Sequence, residues 1–432
     1  MIDELLRLVR VGFEEIKDVR KFNQTYSLSS MLGLSFAMFH LKDSSLSSFR
    51  EQYSIRFENL KTVYGVNVLP GDTAIREAID TVSPGLLQNM FRLLFSVLNK
   101  HQVLKKRQVL ASLGGYTAVA VDGTGYYCSG NKSCVHCLVK THRNGEQSYY
   151  HQALGAVCVH PNEATVFPIA AEAIVKQDGD AKNDCELNAV RRLIPQIREV
   201  LSKEKIVCIF DALYCNGPHI QRLQEADMRF VIATKGQTYT DVQAEQLRGQ
   251  GGLKQVSWTQ GSGCKTQIYT VNYVNDLPLN GQHRNIRVNY FEIQVRDKHT
   301  EEQLYYSTFI TDIPITDNIV KEITEVARSR WKIENETFNT LKNQGYHLEH
   351  NYGHGKKYLA TNFMILTFLA FLIDQMAQYL DKDFQAAKQV AKTFKSLWEK
   401  TRSVFYLIPT TSIGAVYRFI AKQQQVNIPA LE

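Results

Sequence analysis

The chain lacks the features that would set it apart from ordinary globular proteins. Its opening residues, Met-Ile-Asp-Glu-Leu-Leu-Arg, put two acids where a secretory leader needs positive charge ahead of an apolar core, so export is not expected. The longest apolar run, Phe363 to Ile373, is too short to span a bilayer and is closed by Asp374, so it reads as a buried core helix with no membrane partner. Cysteine is scarce: eight in 432 residues, without regular spacing, which argues against a disulfide framework and for reduced thiols in a cytoplasmic protein. There is no fixed-period repeat and no low-complexity tract. A charged content of 22% beside 44% hydrophobic residues argues against dominant disorder. Neither sign of charge prevails, with 50 Lys+Arg against 43 Asp+Glu and a net charge of +7. Any acids that hold a cation are included in that total, so the remaining surface is more basic than the net suggests. A polyanionic partner is permitted, not required.

What is present is a set of three widely spaced acids. Asp122 ends the run Ala118-Val-Ala-Val, Asp211 ends Ile206-Val-Cys-Ile-Phe, and Glu334 lies in Arg330-Trp-Lys-Ile-Glu-Asn-Glu. The first two runs read as buried strands and the third segment as a helix, so one core can bring the three carboxylates together. Converging carboxylates need a cation, and two hard divalent ions held by oxygen ligands suit displacement at phosphorus. Cleavage or joining of a nucleic acid is the leading expectation.

The rest of the chain is read around these acids. Residues 1–110 are helical, with Leu5, Leu8, Val9 and Phe13 on one face and a helix starting at Asp72 after Pro70-Gly71. Arg7, Arg10, Lys17, Arg20 and Lys21 give that segment a basic side, either a solvated face or a DNA-contacting head. Lys105, Lys106 and Arg107 close a denser basic stretch that suits a phosphate backbone or a linker. From 111 to 235 the pattern is β-β-β-α-β-α-β: strands at 116–122, 149–160, 164–174, 206–211 and 229–233, helices at 184–201 and 217–226. Asp178, Asp180 and Asp184 read as loop and capping acids. Residues 236–312 read as a mostly β subdomain inserted between Asp211 and Glu334, residues 313–380 as the rest of the core with the Glu334 helix, and 381–432 as a helical end. The fold class is α/β, with reactive side chains at the carboxyl ends of adjacent strands.

These residues resemble the DDE insertion-sequence transposases of bacteria, in particular the group with a β insertion before the third acid and a Tyr-x2-Arg-x3-Glu-x6-Lys signature. The resemblance rests on Asp122-Gly-Thr, Asp211 after its apolar strand, and Arg330-Trp-Lys-Ile-Glu334 followed by Phe338-Asn-Thr-Leu-Lys342, and it spans about 115–375. It implies a ribonuclease H-like core, with Asp122, Asp211 and Glu334 as catalytic residues binding two Mg²⁺ ions, for which Mn²⁺ substitutes. The implied partner is double-stranded DNA, both transposon ends and target, bound by a homodimer. Candidate DNA contacts are Arg330, Lys342, Lys235, Trp258, Lys105, Lys106 and Arg107, with Trp258 either stacking on a displaced base or packing in the core. The signature Tyr falls at Ala327 and the signature Lys at Leu341, one residue from Lys342, an offset of ~100° on a regular helix. Glu336 rivals Glu334, but the two lie about 200° apart around an α-helix, and Glu334 shares its phase with Phe338 and Leu341. Two other readings stay open: a nuclease of the same fold without strand transfer, and a decayed DNA-binding relic.

A second constellation, Cys128-x5-Cys134-x2-Cys137-x4-His142, lies between the first two strands, with His136, His151 and Cys158 nearby. It suits either a four-ligand structural Zn²⁺ or a set of reduced thiols. His347, His350 and His354 follow the Glu334 helix and read as a hydrogen-bonded loop near the site.

Overall fold

A computed structural model describes residues 1–20, 25–176 and 182–422, with the side chains of 182–185 also left out. Lys21, Asp178 and Asp180, and the side chain of Asp184, therefore lie outside the described residues.

The fold is organised by one mixed sheet. Its strands are β1 (Thr117–Ser129), β2 (Leu138–Thr141), β3 (Gln147–His160), β4 (Glu163–Ile174), β5 (Ile206–Phe210), β6 (Met228–Ala233), β7 (Lys254–Gln260), β8 (Gln267–Pro278), β9 (Arg287–Asp297) and β10 (Gln303–Thr311). Their order across the sheet is β2-β3-β1-β5-β6-β10-β9-β8-β7, with β4 paired to β3. β1 runs antiparallel to β3 and parallel to β5, and β5 is parallel to β6. β5 is buried along its whole length, as expected of a parallel strand covered on both faces.

Two expectations change here. The strand that carries Asp122 does not end there: β1 continues to Ser129 because its antiparallel pairing with β3 persists past the last residue matched to β5, Ala120. The mostly β segment 236–312 is built onto the core sheet itself, β10 pairing antiparallel with β6 and carrying β9, β8 and β7 as an extension. It also holds a helix, Tyr239–Gly249, started by a capping box in which the Thr238 side chain and the Asp241 amide and carboxylate satisfy each other.

One face of the sheet is covered by the helix Leu359–Leu380, which packs on β4. This helix contains the apolar run but is 22 residues long, enough by length and composition to cross a membrane, with 89% of its most apolar window buried inside the protein. The helices Leu28–His40, Asp72–Asp80 and Pro84–Lys100 pack against it, and Pro84–Lys100 also touches β4. The helix Ile2–Glu14 buries Leu5, Val9 and Phe13 against these, as its spacing predicts. The C-terminal helices Lys382–Ala391, Phe394–Leu407 and Ile413–Lys422 close back on the chain start: Asp381 accepts from the Ile2 amide at 2.8 Å and Asp3 from the Gly414 amide at 3.1 Å. Lys42 and Asp374 form a buried pair at 2.5 Å beneath Tyr346, whose hydroxyl donates to the same carboxylate.

Gly155 shows how the sheet seats the Glu334 segment. It stands opposite Asp122 in the β1–β3 register, and a side chain begun there would meet the Phe338 ring at 3.0 Å. A Gly155→Val substitution is expected to cost roughly 1–3 kcal/mol through overpacking. It is also expected to reduce DNA cleavage by more than the lost stability explains, because Phe338 and Glu334 belong to one helical stretch; a melting curve beside a cleavage assay checks this.

Candidate active site

The sheet brings Asp122 and Asp211 level with each other. Ala120 is matched to Ile209 in the parallel pair, and each acid lies two residues beyond its partner of that match, on the same side of neighbouring strands. Both acids use one oxygen to cap local backbone. Asp122 Oδ1 accepts from the Gly123 amide at 2.8 Å, and Asp211 Oδ1 accepts from the Leu213 amide at 2.9 Å, opening the turn Ala212–Tyr214. Only Asp211 stands at a turn, since Asp122 lies within β1.

The third acid arrives on an irregular helix. After the helix Val320–Arg328 the chain turns through Ser329 and Arg330, and residues Ile333–Phe338 form a π-helical stretch in which the Asn339 amide donates to the Glu334 carbonyl, five residues back. Such stretches are rare and concentrate at functional sites. The wider turn breaks the expected α phase: Phe338 and Leu341 are buried, whereas Glu334 is half exposed. Glu336 turns elsewhere, its charge acting on Lys332, whose ammonium donates to the Glu163 carbonyl.

Arg330 joins the acids. Its Nη1 lies 3.0 Å from Asp122 Oδ2 and 2.9 Å from Glu334 Oε1, and the negative charge of Asp211 also acts on it. Burial pushes the Asp122 carboxyl up to about 6; the Arg330 guanidinium opposes this, and the charges of Glu334 and Asp211 add to it. One cation therefore does not neutralise the cluster, and its donor set is all hard oxygen.

The match to known families is decisive at this point: the transposase DDE domain family matches residues 113–373. The chain belongs to the DDE transposase family. The matched span begins just ahead of β1 and ends within the helix Leu359–Leu380, so it takes in the three acids and Arg330. No individual curated protein matches the chain.

The transposase places the remaining sequence candidates unevenly. Lys105 and Lys106 are exposed on a short helical turn, and Lys235 is exposed after β6. Arg107 is not available to DNA. It is 4% exposed, pairs with Glu163 at 2.8 Å and lies over the Phe167 ring. Removing one partner of a buried pair costs about 3 kcal/mol. Arg107→Ala is therefore expected to lower the melting temperature, while Lys105→Ala and Lys106→Ala leave it unchanged and weaken DNA binding alone.

Lys342 pairs with Glu349 at 2.8 Å, and the neighbouring Leu341 is fully buried, so at the end of this helix position 342 is the one that reaches the surface. Trp258 is partly buried on β7, packed against the edge of the core and stacked on Tyr269 at 5.2 Å and 15°. It lines a groove of about 210 Å³ together with Arg328 and Trp331.

Two residues were missed from sequence. Trp331, 44% exposed beside Arg330, was read only as part of a motif, and an exposed indole at that place is the signal. Glu186, on the helix Lys182–Val200, is buried with its carboxylate 3.2 Å from where a Gly123 side chain would begin; its position inside a predicted helix gave no hint of this.

Of the four thiol and imidazole candidates, Cys134 and Cys137 come together, while Cys128 is exposed elsewhere and His142 bonds Ser148 at 2.6 Å. The partners of the two cysteines are His151 and His354 instead.

Proposed function

We propose that this transposase binds the ends of its own insertion sequence, cleaves DNA phosphodiesters and joins the resulting 3′-OH ends to target DNA, with Asp122, Asp211 and Glu334 as the acids of one centre. The observation that carries this reading is the shared Arg330 guanidinium, in contact with two of the acids and within the field of the third. Three hard carboxylates around a partly buried, under-neutralised pocket fit Mg²⁺ or Mn²⁺ as resident cations. When bound, such ions supply positive charge at the scissile phosphate and activate the attacking oxygen.

The chain's own residues do the rest. Asp122 and Asp211 are fixed by the backbone amides of Gly123 and Leu213 and present their remaining oxygens from within β1 and from the end of β5. Glu334 closes the set from the π-helical stretch. Arg330 holds the acids in place, and its guanidinium is suited to a DNA phosphate when it lets go of one carboxylate. Lys105, Lys106, Lys235 and Lys342 extend positive charge along the duplex, and Trp258 and Trp331 offer ring faces to an unstacked base. The order β4-β3-β1-β5-β6 supports a ribonuclease H-like core, with β7–β10 as the insertion of the Tyr-x2-Arg-x3-Glu-x6-Lys group. Pairing of two DNA ends calls for two copies of the chain.

The deciding experiment incubates the protein in Mg²⁺ with DNA that carries the inverted repeats flanking its coding region. Cleavage at the repeat ends followed by joining to a second DNA is expected. Cleavage without joining would make the protein a nuclease of the same fold, and end binding without cleavage would make it a relic.

A further inference from the structure

Cys134, Cys137, His151 and His354 each offer one ligand atom, and the four atoms all lie within 4.8 Å of one another. Cys134 Sγ is 3.5 Å from Cys137 Sγ, and His151 Nε2 is 3.5 Å from Cys134 Sγ, 3.4 Å from Cys137 Sγ and 3.1 Å from His354 Nδ1. A tetrahedral zinc with bonds of about 2.3 Å to sulfur and about 2.0–2.1 Å to nitrogen would set edges of about 3.3 to 3.8 Å, close to those separations. Hydrogen bonding does not account for the cluster. One ring nitrogen has either one proton or one in-plane lone pair, yet His151 Nε2 faces three neighbours. The other ring nitrogen of His354 is buried without a partner, so no second hydrogen bond holds that imidazole in place.

The backbone is already shaped for thiolates. The Cys137 amide donates to the Cys134 carbonyl at 3.2 Å, which closes a tight turn. The Cys134 amide points at Cys137 Sγ at 3.3 Å and the His136 amide at Cys134 Sγ at 3.4 Å. Amides directed at both sulfurs stabilise negative charge there, the form in which cysteine binds a metal.

We propose that Cys134, Cys137, His151 and His354 bind one structural Zn²⁺ that fastens the segment following Glu334 to the hairpin following Asp122. Four protein ligands close the coordination shell, so the ion takes no part in chemistry and is separate from the cations of the three acids. Its ligands come from the turn before β2, from β3, and from the loop that leads into the helix Leu359–Leu380. His151 and His354 are 203 positions apart. The same two segments touch again where the His136 ring meets the Lys356 carbonyl at 3.0 Å, so the ion sits at an existing seam. Asp80 organises the far side of that loop, accepting from the amides of Lys356, Lys357, Tyr358 and Leu359.

The test is elemental analysis of the full chain purified without chelator, with thiol alkylation mapped by mass spectrometry. The expected result is about one zinc per chain, retained in Cys128→Ser, His142→Ala and Asp122→Asn and lost in Cys137→Ser and His354→Ala. In the wild-type protein, Cys134 and Cys137 should resist alkylation until a chelator is added, and the same treatment should make the segment 345–358 susceptible to protease. Cobalt exchanged into the wild-type protein should show thiolate charge-transfer and tetrahedral ligand-field bands, a readout that needs no variant to fold. A wild-type protein free of zinc after purification in zinc-supplemented medium, a Cys134–Cys137 disulfide in the native protein, or zinc lost from His142→Ala and kept in His354→Ala would each overturn the proposal.

Discussion

Alanine at Asp122, Asp211 or Glu334 is expected to reduce Mg²⁺-dependent strand cleavage by about a thousandfold or more, each alone, because residues that act as one unit are not additive in their loss. DNA-end binding by the same variants should stay close to wild type, since none of the three carries positive charge. Gel-shift and cleavage assays on the same protein preparations separate the two effects. Glu336→Ala is the internal control: its charge acts on Lys332, away from Arg330, so cleavage should survive. A Glu336→Ala protein as inactive as Glu334→Ala would remove the basis for choosing between them.

The second large effect is on pH dependence. Burial and the neighbouring acids raise the Asp122 carboxyl from 3.8 to about 6. Below that value Asp122 is protonated and unable to hold a cation, so cleavage at limiting Mg²⁺ should fall about tenfold per pH unit as pH drops below 6. Above 6 it should level off, and saturating Mg²⁺ should move the midpoint downward because the cation competes with the proton.

The same shift bears on stability with a definite sign. A carboxyl whose folded value lies above its unfolded one favours the folded chain when protonated. That contribution is complete below about 3.8 and is lost as pH rises through about 6. The loss is on the order of 3 kcal/mol. Without divalent cations, Asp122→Asn should therefore melt higher than wild type at pH 7, and adding Mg²⁺ should stabilise wild type but not the variant. Thermal melts at pH 5 and pH 7, with and without Mg²⁺, give all the comparisons. A variant less stable than wild type at pH 7 would mean that the Arg330 contact outweighs burial.

Much of this architecture was legible because local pattern and burial agree where strands are fully covered. β5, β6 and the flanking helices follow from apolar runs closed by polar turns, and the two aspartates were visible as the first charged residues after such runs. What was not legible depended on pairing across the chain. No local signal in Asp122-Gly-Thr-Gly tells that β3 will keep β1 extended to Ser129. Nor does any turn near 235 tell that β10 will add to β6 and make the insertion part of the main sheet. The capping box is written in Thr238 and Asp241, but the helix it opens is short and set among strand-rich residues.

Sequence spacing also misassigned the thiol cluster. Cys134 and Cys137 were correct because a two-residue gap is a local constraint. His142 continues the run of ligand-type residues along the chain, but it faces Ser148 across the β2–β3 hairpin, and the imidazoles that reach the sulfurs come from β3 and from a loop two hundred positions away. The π-helical stretch was likewise invisible, since the counting that placed Glu334 in phase with Phe338 assumes 3.6 residues per turn.

The most direct measurement is anomalous diffraction from crystals of the protein bound to DNA ends and soaked with Mn²⁺. The account predicts manganese held by Asp122, Asp211 and Glu334 together, with Arg330 released from at least one carboxylate. Manganese bound with any one of the three acids outside its coordination shell would contradict it.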